Sequence, residues 1–120
     1  MHRLLVLAAV LACATAPVHA AEPPVGEYMC HDNGGGAIGL FSITGAGTYA
    51  WQSTATADFK VLKDDPSNGP GTYTLRADGW MEFEGAFADQ WGVVGTWEEG
   101  WVWFSNDYGG VMRCGTVLSG

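Results

Sequence analysis

The sequence predicts an all-β protein, a small antiparallel up-and-down meander closed into an eight- or nine-stranded barrel or near-barrel. Three observations carry that expectation. Beyond the first twenty residues no helical period is present, and short apolar or aromatic runs alternate with glycine-rich breaks. Three hairpin loops, Gly45-Ala46-Gly47, Ala77-Asp78-Gly79 and Glu98-Glu99-Gly100, share one chemistry and can each set a strand register. Cys30 and Cys114 stand near the two ends of that meander, where a barrel has to close.

The first twenty residues are set aside as a cleaved signal. Met1-His2-Arg3 is a positive start, Leu4 to Ala16 is apolar except for Thr15, and Val18-His19-Ala20 offers a peptidase its small residues. An apolar run of that length rises only about 20 Å as a helix, too little for a bilayer core. The chain therefore reads as a signal peptide over 1–20 and a single domain over 21–120, secreted or periplasmic, with no transmembrane segment. A competing reading takes Val10-Leu11-Ala12-Cys13 as a lipoprotein box with Cys13 acylated and retained. An even cysteine pair in an oxidising compartment predicts a Cys30–Cys114 disulfide.

Strands are expected at Gly26–Cys30, Ala37–Thr44, Thr48–Ser53, Asp58–Lys63, Thr72–Arg76, Trp80–Glu84, Trp91–Trp97, Trp101–Ser105 and Val111–Val117. Asp64 to Pro70 is the one long polar loop. Gly47-Thr48-Tyr49, Gly71-Thr72-Tyr73 and Gly95-Thr96-Trp97 recur at intervals of 24, with Gly26-Glu27-Tyr28 as a looser copy, which suggests a hairpin repeat unit.

Side-chain segregation selects the registers. A three-residue loop ending in left-handed Gly79 pairs Leu75 with Met81 and Tyr73 with Phe83, and sets Arg76 beside Trp80 on the outer face. Around Gly45-Ala46-Gly47 the same logic joins Ile43 to Tyr49 and Phe41 to Trp51. Around Glu98-Glu99-Gly100 it joins Trp97 to Trp101 and lays Trp103 over Gly95. By this analogy Trp97, Trp101 and Trp103 point inward, while Val94, Val102 and Phe104 point outward.

Charge narrows the partners. With the signal removed, Lys60, Lys63, Arg76 and Arg113 face thirteen carboxylates, leaving a net charge of −9. Nucleic acid and anionic lipid are disfavoured, and a basic protein partner is compatible. No cofactor is expected, and no metal site, because His31 is the sole mature histidine and no third mature cysteine exists. Asp64, Asp65, Ser67 and Asn68 read as a turn, since their spacing matches no calcium loop.

No catalytic constellation is present, so the chain is not expected to be an enzyme. Glu82 and Glu84 share a strand face at a glycosidase-like spacing, but the chosen register turns them to solvent beside Thr74. His31-Asp32-Asn33 runs into Gly34-Gly35-Gly36 and reads as a polar loop. All six tryptophans lie in the mature region. The candidate ligand-binding residues are Tyr49, Trp51, Tyr73, Trp97, Trp101 and Trp103, a pocket for a small apolar or aromatic ligand inside the barrel. Turned over, the strand Trp101-Val102-Trp103-Phe104 would instead present an outer platform for sugar rings or a protein.

Tyr28-Met29-Cys30-His31-Asp32-Asn33-Gly34 resembles the Tyr-x-Cys opening of periplasmic c-type lysozyme inhibitors. The resemblance implies a small antiparallel barrel with a disulfide and a cationic enzyme as partner. Acidic charge and Trp97-Glu98-Glu99-Gly100 are compatible with it, but that family's Ser-Gly-x-x-Tyr loop is missing here. The repeats and terminal cysteines are also similar to small secreted bacterial β-barrel proteins of unassigned role. The sequence thus leads to a non-enzymatic binding protein with a Trp-lined barrel, with a protein-binding inhibitor of a cationic hydrolase as the alternative.

Overall fold

A computed structural model describes residues 22–116. The expected signal peptide, Cys13 and the expected strand end at Val117 lie outside the described residues. Eight strands and one short helix follow in order: β1 (Gly26–Asp32), β2 (Ala37–Gly45), β3 (Thr48–Ser53), β4 (Gly69–Leu75), β5 (Trp80–Gly85), α1 (Ala86–Trp91), β6 (Val94–Glu98), β7 (Trp101–Asn106) and β8 (Gly109–Thr116). Each strand pairs antiparallel with its sequence neighbour, and β1 pairs with β8, giving a closed up-and-down barrel.

Two hairpins take the expected registers. Ile43 faces Tyr49 and Phe41 faces Trp51 across β2–β3. Leu75 faces Met81 and Tyr73 faces Phe83 across β4–β5. The second loop returns its chain through Gly79 (φ 89°), which donates to the Arg76 carbonyl at 2.9 Å. A left-handed residue at that loop position is what lets glycine set the count. The Arg76 guanidinium then lies 5.4 Å from the Trp80 ring centre, the outer-face contact that the register implies.

The third hairpin differs by one residue. Glu98 pairs with Trp101, Trp97 with Val102 and Gly95 with Phe104. Glu99 (φ 54°) and Gly100 (φ 85°) are both left-handed. That is the two-residue primed turn, whose twist matches the flanking strands. Strand alternation then turns β7 over: Val102 and Phe104 are buried at 0 % and 1 % exposure, while Trp103 is 46 % exposed. The inward placement of Trp101 and Trp103 is corrected to outward, and Val102 and Phe104 take their places. Phe83, not Trp103, lies over Gly95: a Cβ there would fall 2.8 Å from its ring.

Asp58–Lys63 is not a strand. The Phe59 amide donates to the Ala55 carbonyl at 2.9 Å and the Ala55 amide to the Lys60 carbonyl at 2.8 Å, curling the chain into a turn. Phe59 itself is left-handed (φ 58°), which no extended strand permits, and only the Thr54–Val61 bridge remains. The polar loop accordingly begins earlier than expected, and Gly69 and Pro70 belong to β4. The expected strand at Trp91 is likewise corrected. Ala86–Trp91 forms α1, closed where the Gly92 amide donates to the Ala88 carbonyl at 2.8 Å.

The interior is filled by rings. Phe87 of α1 enters one end of the barrel, stacked on Trp51 with centroids 4.5 Å apart and edge-on to Phe104 at 5.4 Å. Phe41 touches Tyr49, Phe83 and Phe104 at 5.2, 5.7 and 5.2 Å. Cys30 and Cys114, directly paired on β1 and β8, form the predicted disulfide inside this core. Its 84-residue separation removes about 4–5 kcal/mol of unfolded-chain entropy in the chain-entropy model. Truncating the plug should therefore be expensive: Phe87→Ala is expected to destabilise by about 3–5 kcal/mol in urea unfolding, whereas a loss below about 1 kcal/mol would show that α1 is not seated in the core.

Candidate outer tryptophan face

The overturned strand builds a continuous outer surface across β1, β8, β7, β6 and β5. Register places His31, Arg113, Trp103, Thr96 and Trp80 in one cross-strand row. The adjoining row runs Leu40, Met29, Gly115, Trp101 and Glu98. Strands lie about 4.8 Å apart, so the first row spans about 19 Å along the curved sheet.

Trp101 lies flat because Gly115 leaves it room. A Cβ on Gly115 would fall 2.7 Å from the Trp101 ring, so any side chain there would lift the indole. The Arg113 guanidinium lies 5.5 Å from the same ring centre, and Trp103 stands 6.3 Å away at a 46° tilt. A shallow depression of about 510 Å³ is lined by Met29, His31, Glu99, Gly100, Trp101, Gly115 and Thr116. A second, of about 190 Å³, adjoins it through His31 and reaches Trp103, Arg113 and Asn33. The loop at that end is held locally: Asp32 accepts from the Gly34 and Gly36 amides at 2.9 Å each, and Asn33 donates to the Gly110 carbonyl at 3.0 Å.

The other candidate residues lie inside. Trp51 and Tyr49 are buried with Phe87, Tyr73 is buried beside Phe83, and Trp97 packs edge-on against Tyr28 at 6.1 Å. The six candidates thus divide between a filled interior (Tyr49, Trp51, Tyr73, Trp97) and an open face (Trp101, Trp103). Sequence reasoning missed Met29, His31, Arg113 and Thr116 as neighbours of that face. The signal for Met29, His31 and Arg113 was parity, since inward Tyr28, Cys30 and Cys114 force their neighbours outward; Thr116 reaches the face from the barrel's end instead. Glu82 and Glu84 are exposed opposite Thr74 and Thr72, as the sequence implied.

The polar atoms of Trp51, Ser53 and Ser67 serve structure, whereas the buried Thr54 Oγ1 and Tyr73 hydroxyl have no hydrogen-bond partner among the described residues. The Trp51 Nε1–H reaches the Ser53 and Ser67 hydroxyls at 3.0 and 3.1 Å, and Ser67 donates to Asp65 at 2.5 Å. The Ser67 side-chain and backbone hydrogen bonds hold the Asp65 carboxyl below the usual carboxylate range. This anchors the polar loop as the turn expected of it. Among the described residues no group of three His, Cys, Asp or Glu side chains gathers to hold a metal, and no helix is long and apolar enough to cross a membrane. The disulfide fits a non-cytoplasmic environment. Comparison with protein-family models, with curated proteins and with solved structures returns no match.

Two outcomes test this arrangement. Trp103→Phe is expected to change stability by less than about 0.5 kcal/mol and to remove much of the iodide-quenchable fluorescence, whereas Trp51→Phe destabilises by 1 kcal/mol or more, roughly. The reverse order would place the wrong indole inside. Burial pushes Tyr28 and Tyr49 up to about 12, with Tyr73 adding to the Tyr28 shift. Unfolded tyrosine ionises near 10, so these two groups stabilise the fold fully below pH ~10 and lose that contribution as pH rises toward about 12. Burial also raises Tyr73, so ultraviolet titration should show three phenols resisting ionisation until the barrel opens.

Proposed function

We propose that this protein is a non-catalytic binding protein of an oxidising compartment, and that its working surface is the outer tryptophan face, which takes carbohydrate. The observation that carries this reading is Trp103, 46 % exposed beside the half-buried Trp101 on a strand whose other face already fills the core. The exposed Trp103 indole adds nothing to the core packed on the other side of β7. The electron-rich face of an indole attracts the polarised C–H face of a sugar ring. Around the rings stand both hydrogen-bond donors and acceptors, His31, Thr116 and Glu99, which hydroxyl groups require. His31, Arg113 and Trp103, on the adjoining strands β1, β8 and β7, offer a sugar chain about 10 Å of surface across the sheet.

A small apolar ligand inside the barrel would have to displace Phe87 from Trp51 and Phe104, and the disruption of that ring cluster argues for the outer site instead. The protein-inhibitor reading draws on one observation, the Glu98–Glu99 turn that holds two exposed carboxylates at the rim of the same face. Retention on immobilised lysozyme at low salt, abolished by Glu98→Gln with Glu99→Gln, would favour it.

The direct test is co-sedimentation with insoluble polysaccharides, followed by titration of soluble oligosaccharides against tryptophan fluorescence. Trp101→Ala with Trp103→Ala is expected to weaken binding at least about tenfold, with Glu82→Gln and Glu84→Gln neutral. Absence of binding across a broad panel of neutral and acidic glycans would overturn the reading.

A further inference from the structure

We infer that this face selects acidic sugars, with Arg113 as the group that receives the sugar carboxylate. The inference rests on the carbohydrate reading above and names the substrate class of the same site. The sequence holds few cations against thirteen carboxylates, a setting in which an arginine readily finds an acid partner. Arg76 does so, at 3.8 Å from Asp78. Arg113 does not: among the described residues no carboxylate lies within ion-pair distance of it.

Its place is set by the sheet. Arg113 projects from the middle of β8 between His31 of β1 and Trp103 of β7, all three outward. The guanidinium carbon lies 5.5 Å from the Trp101 ring centre, within cation–π range, and its N–H edge makes no ion pair among the described residues. That edge is the part which grips a carboxylate through two parallel hydrogen bonds. Holding the guanidinium against an indole also reduces the side-chain freedom that binding would otherwise have to freeze.

The two depressions make the fit specific. His31 belongs to both, Trp101 to the larger, and Trp103 with Arg113 to the smaller. A chain laid across both therefore passes Arg113 near its middle. A uronic acid carries its carboxylate at the ring edge, so the ring can stack on Trp103 while the carboxylate meets Arg113. Two acids line the depressions themselves, Glu99 the larger and Asp32 the smaller. Glu98 and Glu99 are at the β6–β7 turn, and Asp32 is engaged by two amides at the far side. They repel a carboxylate at either end of the ligand and leave the middle position favoured.

The test titrates wild-type protein with two tetrasaccharides, each carrying one internal uronic acid, galacturonate or mannuronate, between neutral sugars, as free acid and as methyl ester, at about 0.15 M salt, where the net charge of −9 is screened beyond about 8 Å. The ester keeps the ring and removes the charge. We expect the acid to bind at least about tenfold more tightly than its ester, and Arg113→Gln to abolish that difference. Arg113→Lys, which keeps the charge without the fork, should retain only part of the preference and serves if the glutamine variant unfolds. Equal affinity for acid and ester, or a preference unchanged in both variants, overturns the inference and leaves the carbohydrate reading standing. Failure of both tetrasaccharides while neutral gluco-oligosaccharides bind also overturns the acidic-sugar inference alone. Failure of every sugar overturns the reading beneath it.

Discussion

The face on which each side chain of this barrel lies is set by the number of residues in the turn before its strand. At Gly79 three residues intervene, and Tyr73, Leu75, Met81 and Phe83 all meet on the inside. At Glu99-Gly100 only two intervene, and β7 arrives with Val102 and Phe104 inward. Because alternation has period two, that single residue moves both indoles of β7 from core to surface. The outer face, its depressions and the freedom of Arg113 all follow from this one count.

A second constraint is volume. Eight strands enclose a space just wide enough for side chains, and this chain fills it with rings. Rings fit because glycines on neighbouring strands yield to them: Gly39 beneath Trp51, Gly71 beneath Tyr49 and Gly95 beneath Phe83. The Gly-Thr-aromatic recurrence has this physical meaning. Tyr49, Tyr73 and Trp97 point inward, and Gly71 and Gly95 share that inner face to admit a neighbour's ring. The recurrence does not mark a repeated hairpin, since one interval holds a strand and a long loop while the next holds α1.

Architecture, closure, the disulfide and two registers were legible because each rested on a local rule with one sensible outcome. The third register was not, because Trp101-Val102-Trp103-Phe104 is apolar on both faces and segregation could not choose between them. Nothing in a glutamate announces that Glu99 adopts φ 54°. Volume was the neglected clue, since valine and phenylalanine fit a crowded barrel where two more indoles would not. Helix α1 escaped because six residues are too few for a period to register, although Phe87 and Trp91 stand four apart between glycines. The Asp58–Lys63 run alternated well enough, but hydrogen bonds from Ala55 to Lys60 and from Phe59 to Ala55 required a bend that alternation does not encode.

The covalent link between Cys30 and Cys114 joins the first strand to the last at adjacent ladder positions. Sequence order around the barrel is thereby an annulus with one interruption, and both loose ends emerge on the same rim, where Tyr28 sits opposite Thr116. Because that bond holds β8 in register with β1, the interruption can move to the β7–β8 turn without altering a ladder. A circular permutant, opened at the turn between β7 and β8 and joined through a short linker across the present ends, would keep every pairing and leave the tryptophan surface whole.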